Sequence, residues 1–307
     1  MEQLITHPLN FYGILIESVS IIFSWKKIFA EITVATIFPL SLLSLCHAHI
    51  SELLLSIILH NQNPSLNNPN YAFLSEETAF RLFNAAYIIF FLALSLVSTS
   101  AVVDAVARVY TANELRFSEV MGVVLKVWKR VMATFLWSWI LVITYNMAAS
   151  ALIFPWISDG IIAFGVYAIG FVYISIVWHL ASVVSVLEED CGTDAMIKSC
   201  GLVRGRMVIS GAVFFFLNLC FVWIEVVFQR YVVVGEMVWR RIGCGILCLL
   251  VLCGFTLLGL VAQTVVYFVC KLYHGEIIII PNSNDPNHHK VDFGDYAPFR
   301  SNELDQC

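Results

Sequence analysis

Charged residues are scarce in this chain of 307 residues: Asp, Glu, Lys and Arg make up 13% of it, against about 25% in an ordinary soluble domain. Hydrophobic residues make up 60%. A protein interior of this size cannot enclose so many apolar side chains. The composition therefore excludes a soluble globular protein and predicts that lipid surrounds much of the surface.

The chain also lacks the short motifs that mark common enzyme sites. It contains no His-Glu-x-x-His, Gly-x-Ser-x-Gly, Walker-type loop or Cys-x-x-Cys. Cys244 and Cys248 share one helical face, and His288 and His289 adjoin, but a metal site needs three or four converging ligands. The net charge of −5 comes without a long basic run, so a nucleic acid is not an expected partner. We expect a protein that is not an enzyme and has no cofactor and no metal.

Six apolar runs are long enough to cross a bilayer, which takes roughly 20 residues of helix. They predict an all-α, polytopic helical bundle with spans at 28–58, 83–107, 131–154, 161–187, 207–228 and 243–270. Pro39 predicts a kink in the first span, and the Asn/Pro-rich stretch within 60–81 predicts a solvated loop. We expect one transmembrane domain over residues 1–275 and a polar, disordered cytoplasmic tail over 276–307.

The distribution of lysine and arginine predicts the orientation, because positively charged loops stay in the cytoplasm. Six spans place 13 of the 17 basic residues on one side and four on the other, namely Arg81, Arg230, Arg240 and Arg241. Both termini are then cytoplasmic. Residues 1–10 do not resemble a cleaved signal peptide, so we expect the first span to act as an anchor in the endoplasmic reticulum or plasma membrane.

Short amphipathic segments precede the odd-numbered spans, at 11–27, 117–130 and 193–206. Each combines an apolar stripe with basic residues, and the first two end in Trp-Lys, which suits the bilayer interface. They predict a possible threefold repeat of one interfacial helix followed by two spans. Basic residues at these places are also required by topology alone, so the functional interpretation stays open. The candidates for contact with lipid headgroups are Trp25, Lys26, Lys27, Trp128, Lys129, Arg130, Lys198, Arg204 and Arg206.

Three stretches carry a resemblance to a known family: YTANELRFS at 110–118, VWKR at 127–130 and VLEEDCGTDAMIKSCGLVRG at 186–205. They resemble an uncharacterised family of plant multi-pass transmembrane proteins. The spacing of Gly192, Ala195, Ser199, Leu202 and Gly205 is also similar to the membrane domain of some bacterial glycerophosphodiester phosphodiesterases. The resemblance implies a helical membrane architecture with interfacial helices and no established activity. The soluble phosphodiesterase barrel would need a few hundred further residues, so hydrolysis is not carried over.

The last stretch also has a structural interpretation. Gly192 permits a sharp exit from the fourth span, Thr193 or Asp194 can cap a helix, and Gly205 allows the turn into the fifth span.

Polar residues inside the predicted spans are the usual pointers to function in a membrane protein. They are Asp104, Asn146, His179, Asn218, Glu225 and Gln263. Asp104 and Arg108 have the spacing of a helical ion pair, and Glu225 lies near an outer end where it can reach water or Arg230. Helix-joining hydrogen bonds explain the others most simply.

Two functions from different classes remain. The first is a non-enzymatic membrane protein that organises the lipid bilayer, through anionic lipids, or another membrane protein. The second is a small transporter or channel with a polar path near His179, Asn146, Asn218 and Gln263. The sequence leaves the oligomeric state open.

Overall fold

The computed structural model describes residues 10–61, 69–110, 116–156, 160–233, 238–275, 278–279 and 290–291. Its helices, in chain order, are α1 Phe11–Ser24, α2 Lys26–Ile32, α3 Phe38–Asn61, α4 Pro69–Tyr110, α5 Phe117–Trp156, α6 Gly160–Leu187, α7 Thr193–Val203, α8 Met207–Phe228 and α9 Val238–Tyr273. π-Helical turns at Thr33–Ile37 and Gln229–Val233 extend α2 and α8. The predicted all-α fold is confirmed.

Among the described residues, six helical stretches are long and apolar enough to span a membrane: Lys26–Leu54, Thr78–Tyr110, Phe117–Ala151, Gly160–Leu187, Met207–Val233 and Trp239–Tyr273. Their number agrees with the prediction, although most extend beyond the predicted limits. Large apolar side chains remain exposed along them, including Val208 at 85% and Ile161 at 84%. Because water would oppose such exposure, the chain is an integral membrane protein.

The irregularity predicted near Pro39 is a π-helical turn. Regular α-helix gives way to π-helix at Thr33–Ile37 and resumes at Phe38. Pro39 has no backbone N–H, and its ring crowds the carbonyl one turn earlier. The turn lies directly before the proline, where such a distortion is expected.

The predicted loop at 60–81 is wrong over most of its length. Helix α3 continues to Asn61, and α4 begins at Pro69, which leaves only residues 62–68 outside the description. Proline is well suited to the first position of a helix, because the N–H that it lacks would have no partner there.

Two of the three predicted interfacial segments are separate helices, α1 and α7. The third is not: α5 runs without a break from Phe117 to Trp156, so residues 117–130 form the first turns of the third span. No glycine or proline stands at the predicted junction between Arg130 and Val131, and an amphipathic stripe has the same period as the span that follows. Of the three predicted copies of the repeat, only the first and the third therefore begin with a separate helix before the spans.

The chain packs as two units. Unit 1 comprises residues 1–28, 99–216 and 258–307 and contains the hairpin of α5 and α6. Tyr145 stacks on Tyr167, and Phe135 meets Trp178 edge to face. The contact positions thus advance along α5 while they go backwards along α6, so the two helices form an antiparallel hairpin.

Unit 2 comprises residues 29–98 and 217–257. Its described core contains Leu45, Ile224, Phe228 and Cys248. His47 is hydrogen-bonded through Nε2 to Asn84 Oδ1 at 2.8 Å, and its ring stacks on Tyr87. These contacts join α3 to α4 within the unit.

The predicted disordered tail lies almost entirely outside the described residues. Within it, the structure describes a two-residue antiparallel ladder of β1, Ile278–Ile279, and β2, Lys290–Val291.

Candidate functional site

The candidate site is one end of unit 1, which we call the α7 end. It contains α7, the C-terminal ends of α4, α6 and α9, and the N-terminal ends of α5 and α8. The buried face of α7 includes Ala195 and Ser199, both fully buried. Small side chains at these positions allow the helix to pack closely against its neighbours.

Two glycines place α7 at the predicted bends. Gly192 has φ 62° and Gly205 has φ 91°, both in the left-handed region that favours glycine. A Cβ on Gly192 would lie 3.1 Å from the Trp137 ring, and one on Gly205 would lie 2.6 Å from the Tyr273 ring. Each bend is therefore fixed by its backbone and by an aromatic neighbour.

The predicted side-chain cap of α7 is wrong. Gly192 is the N-cap residue, and neither Thr193 nor Asp194 supplies a capping bond. The N–H of Gly192 donates instead to Oγ1 of buried Thr134, at 2.9 Å. The N-cap residue of α7 thus donates a hydrogen bond that attaches α7 to α5.

The other end of α7 is held by the end of α9. His274 Nε2 lies 3.1 Å from the carbonyl oxygen of Leu202, and the guanidinium of Arg206 lies 5.0 Å from the centre of the Tyr273 ring. A guanidinium over an aromatic face is favourable by about 0.5–1 kcal/mol at exposed sites. Both ends of α7 are therefore attached to spanning helices.

A buried ion-pair network lies beneath α7. Glu188 Oε1 accepts hydrogen bonds from Lys271 Nζ at 2.6 Å and from Tyr267 Oη at 2.5 Å. Its second oxygen, Oε2, forms an ion pair with Lys198. The side chains of Glu188 and Lys271 are only 11% and 6% exposed. One carboxylate thus joins the ends of α6 and α9 to α7.

Lys198 forms a second ion pair, with Asp190 Oδ2 at 2.8 Å. Burial opposes ionisation of Glu188, but hydrogen bonds from Lys198, Lys271 and Tyr267 outweigh it and hold the pKa of that carboxyl below its usual range. Burial likewise opposes the charge on Lys198, and the two carboxylates outweigh it and raise the pKa of the ammonium. Two cations and two anions therefore compensate one another in this network.

The predicted headgroup residues fall into two groups by the exposure of their side chains. Exposed side chains belong to Trp25, Lys26, Lys27, Trp128, Lys129 and Arg204. Arg130 and Arg206 are half-buried, and Lys198 is engaged by the carboxylates. Lys129 also lies 5.8 Å from the centre of the Trp128 ring. The exposed group has the pairing of indole and cation that is typical of a bilayer interface.

Comparison with known protein families identifies the family of this chain. The model of the family described as "Domain of unknown function (DUF8558)" matches residues 1–306. The chain belongs to this family. No curated protein and no solved structure matches the chain significantly. The resemblances to plant proteins and to bacterial membrane domains stay predictions.

Two of the intramembrane polar residues predicted in this DUF8558 chain meet each other. His179 Nδ1 lies 2.9 Å from Gln263 Oε1, and the imidazole stacks on the Phe214 ring with centroids 4.8 Å apart. Gln263 is 1% exposed. Within the described ranges, its Nε2 has no hydrogen-bond partner. An unsatisfied amide donor at such a place is costly.

Among the other predicted polar residues, Asn146 joins α5 to α6 in the DUF8558 structure. Asn146 Oδ1 accepts from Tyr167 Oη at 2.9 Å, and Tyr167 precedes His179 by about 18 Å along α6 at 1.5 Å per residue. Asn218 and exposed Glu225 belong to unit 2. Asp104 pairs with Arg108 at 2.8 Å as predicted.

Sequence reasoning missed the partners of Glu188. Tyr267 and Lys271 follow it by 79 and 83 residues, so no local pattern links them. A signal was present within α9: Tyr267 and Lys271 are spaced i, i+4, which places both on one helical face. A lysine at the end of a span, accompanied by a tyrosine one turn earlier, needs an acidic partner when both are buried.

Proposed function

We propose that this DUF8558 protein is a non-enzymatic membrane protein that binds anionic lipid headgroups at the α7 end of unit 1. One observation carries the proposal: Lys129 and Arg204 are exposed at this end, whereas Lys198 is neutralised internally by Glu188 and Asp190. Within the described part of the chain, neither exposed cation forms an ion pair with a carboxylate, so both are available to lipid phosphate.

The fixed position of α7 supports the proposal. Its N-cap residue, Gly192, is hydrogen-bonded to α5, its C-terminal end is hydrogen-bonded to α9, and Lys198 forms an ion pair with Glu188. Arg204 therefore projects from a rigid support, which lowers the entropy lost when a headgroup binds. The exposed indole of Trp128 precedes Lys129 and suits the headgroup region.

The test is lipid binding by the double variant Lys129→Gln and Arg204→Gln. Native mass spectrometry of the detergent-purified protein would count phosphatidylserine and phosphatidylcholine molecules bound during titration. Each cation near the membrane surface contributes about 1 kcal/mol, so the preference for phosphatidylserine should fall by roughly 30-fold at low salt. Added salt should weaken the wild-type preference in the same direction.

The matched control is Arg230→Gln with Arg240→Gln. These side chains are also exposed, and the control removes the same number of positive charges from elsewhere in the chain. It should retain the wild-type preference. Equal loss in the two double variants would mean that only net charge matters, and an unchanged preference in the first variant would refute the proposal.

We further propose that the α7 end faces the cytoplasm, with both termini on that side, in the endoplasmic reticulum or plasma membrane. The 13 to 4 distribution of basic residues supports this orientation. Glycosylation acceptor tags added to either terminus should stay unmodified in cells, whereas a tag within residues 62–68 should be modified. The reverse pattern would overturn the orientation.

A transporter or channel is the second candidate, and the unsatisfied Nε2 of buried Gln263 beside His179 favours it. A passing solute or water would supply the missing acceptor. Reconstituted protein should then conduct protons or a small polar solute, and Gln263→Leu should abolish that flux while the protein stays folded. Flux that is unchanged in Gln263→Leu would exclude a path past this residue.

A further inference from the structure

Unit 2 contains an apolar groove whose lining residues all belong to that unit. Its volume is about 510 Å³, within the 300–1,000 Å³ that is usual for small-ligand sites. The walls come from α3, the end of α8 with its π-helical turn, and the start of α9. They are formed by Leu42, Leu45, Cys46, His49, Phe228, Val232, Arg241, Ile242, Gly245, Ile246 and Leu249.

The shape of the groove suits an alkyl chain. Its walls run along α3 from Leu42 to His49 and along α9 from Arg241 to Leu249, a length of about 10–12 Å at 1.5 Å per residue. Leu42, Ile242 and Ile246 are each more than 40% exposed. These exposed walls belong to candidate membrane spans, so the molecules that surround the groove are bilayer lipids.

Arg241 supplies the one cation among the lining residues, and no carboxylate is among them. Its Nε donates to the carbonyl oxygen of Val232 at 2.7 Å, and its Nη2 lies 3.4 Å from His49 Nε2. Both partners are uncharged acceptors if His49 accepts through Nε2. The hydrogen bond from Nε to the backbone fixes the orientation of the guanidinium. Its Nη1 nitrogen then remains available to donate hydrogen bonds to an anion. A half-buried cation in an apolar groove is stabilised by such a counter-charge.

We propose that the groove is a binding site for an anionic phospholipid, with one acyl chain between α3 and α9 and the headgroup phosphate on Arg241. The second acyl chain remains in the bilayer beside the exposed wall. This site is independent of the proposed headgroup surface, because its residues all belong to unit 2 and the Lys129 and Arg204 pair belongs to unit 1.

The first experiment tests the headgroup. Detergent-purified full-length protein is titrated with phosphatidylglycerol or with phosphatidylcholine of the same acyl chains, and bound lipid is counted by native mass spectrometry. The wild type should hold one phosphatidylglycerol in preference to phosphatidylcholine. Arg241→Gln should reduce phosphatidylglycerol binding by roughly tenfold or more, since a hydrogen bond to a charged group is lost. Phosphatidylcholine should lose less, because its choline cation already balances the charge of the phosphate, so the preference should fall. Arg240→Gln is the matched control, because Arg240 is exposed and adjacent but does not line the groove.

The second experiment tests the acyl chain. A Cβ on Gly245 would meet Val232 at 3.9 Å, an ordinary contact, so Gly245→Leu should fold and place its side chain in the groove. It should weaken binding of both phospholipids with Arg241 intact. This variant also decides the matter if Arg241→Gln does not elute as a folded species.

Four outcomes would overturn the proposal. The first is equal binding of the two phospholipids by the wild type. The second is equal loss in Arg241→Gln and Arg240→Gln, and the third is full binding by Gly245→Leu. The fourth is tighter binding of oleate than of phosphatidylglycerol, which would assign the groove to a fatty acid.

Discussion

The ion pair between Glu188 and Lys271 gives the sharpest test of how α7 is attached. We consider Glu188→Leu, Lys271→Met and the double variant. Glu188→Leu leaves the ammonium of Lys271 buried at 6% exposure, with Tyr267 Oη at 3.2 Å as its remaining described hydrogen-bond partner. Lys271→Met is milder, because Glu188 keeps its ion pair with Lys198.

Breaking a buried ion pair from one side typically costs about 3–5 kcal/mol, whereas replacing both partners by apolar groups of similar volume is often close to neutral. Glu188→Leu should therefore lower the free energy of unfolding by about 3–5 kcal/mol, and the double variant should recover most of that loss. The interaction energy between Glu188 and Lys271 is the difference between the effect of the double variant and the sum of the two single effects.

Unfolding can be followed in detergent with a thiol-reactive dye, because Cys270 is fully buried and free. Lys126→Met is the control for loss of an exposed lysine, and its effect should stay within about 0.5 kcal/mol. If the effects of Glu188→Leu and Lys271→Met simply add, or if Glu188→Leu costs no more than the control, the network does not stabilise the protein.

The same carboxylate predicts a dependence on pH. Its folded-state pKa is depressed, so its contribution to stability is present above the unfolded-state value of about 4.3 and is lost as the pH falls through the folded-state value. Wild-type stability should therefore drop more steeply than that of Glu188→Gln as the pH falls below about 4.3. Parallel profiles would show that another group controls the acid transition.

Two further variants test the bends around α7. Gly205→Ala should destabilise the protein by about 1–3 kcal/mol, because a Cβ would lie 2.6 Å from the Tyr273 ring at φ 91°; Gly122→Ala, a helical position with nothing within 4 Å, should have no such cost in the same thermal unfolding assay. Thr134→Val removes the acceptor for the Gly192 N–H and should cost about 1–3 kcal/mol, measured together with faster hydrogen exchange of that amide. Normal protection at Gly192 in Thr134→Val would contradict the assigned bond.

Short-range patterns in the sequence are sufficient to predict the features of the fold that depend on residues close together in the chain. The six spans follow from runs of apolar residues, and the bend at Gly205 follows from a glycine between two helical segments. The pair of Asp104 and Arg108 follows from their spacing on α4. Each depends on residues within a few turns of one another, so the sequence alone carries the information.

The wrong predictions concern signals that have two structural meanings. Pro69 lies in a stretch that predicts a loop, but proline also begins helices, and α4 begins there. The stripe over 117–130 predicted a separate helix at the interface, but the same period continues into the span. The contacts between His179 and Gln263 join residues 84 positions apart, and which of several polar groups meet depends on how the helices pack.

The internal neutralisation of Lys198 and Lys271 separates two roles that a basic residue has at different times. During membrane insertion the chain is unfolded, and every lysine contributes to the choice of side. After folding, these two charges are balanced by Glu188 and Asp190, and they add little to the electric field that an approaching lipid experiences. A count of basic residues in the sequence therefore describes the nascent chain, whereas the mature surface is described by the exposed and unpaired subset.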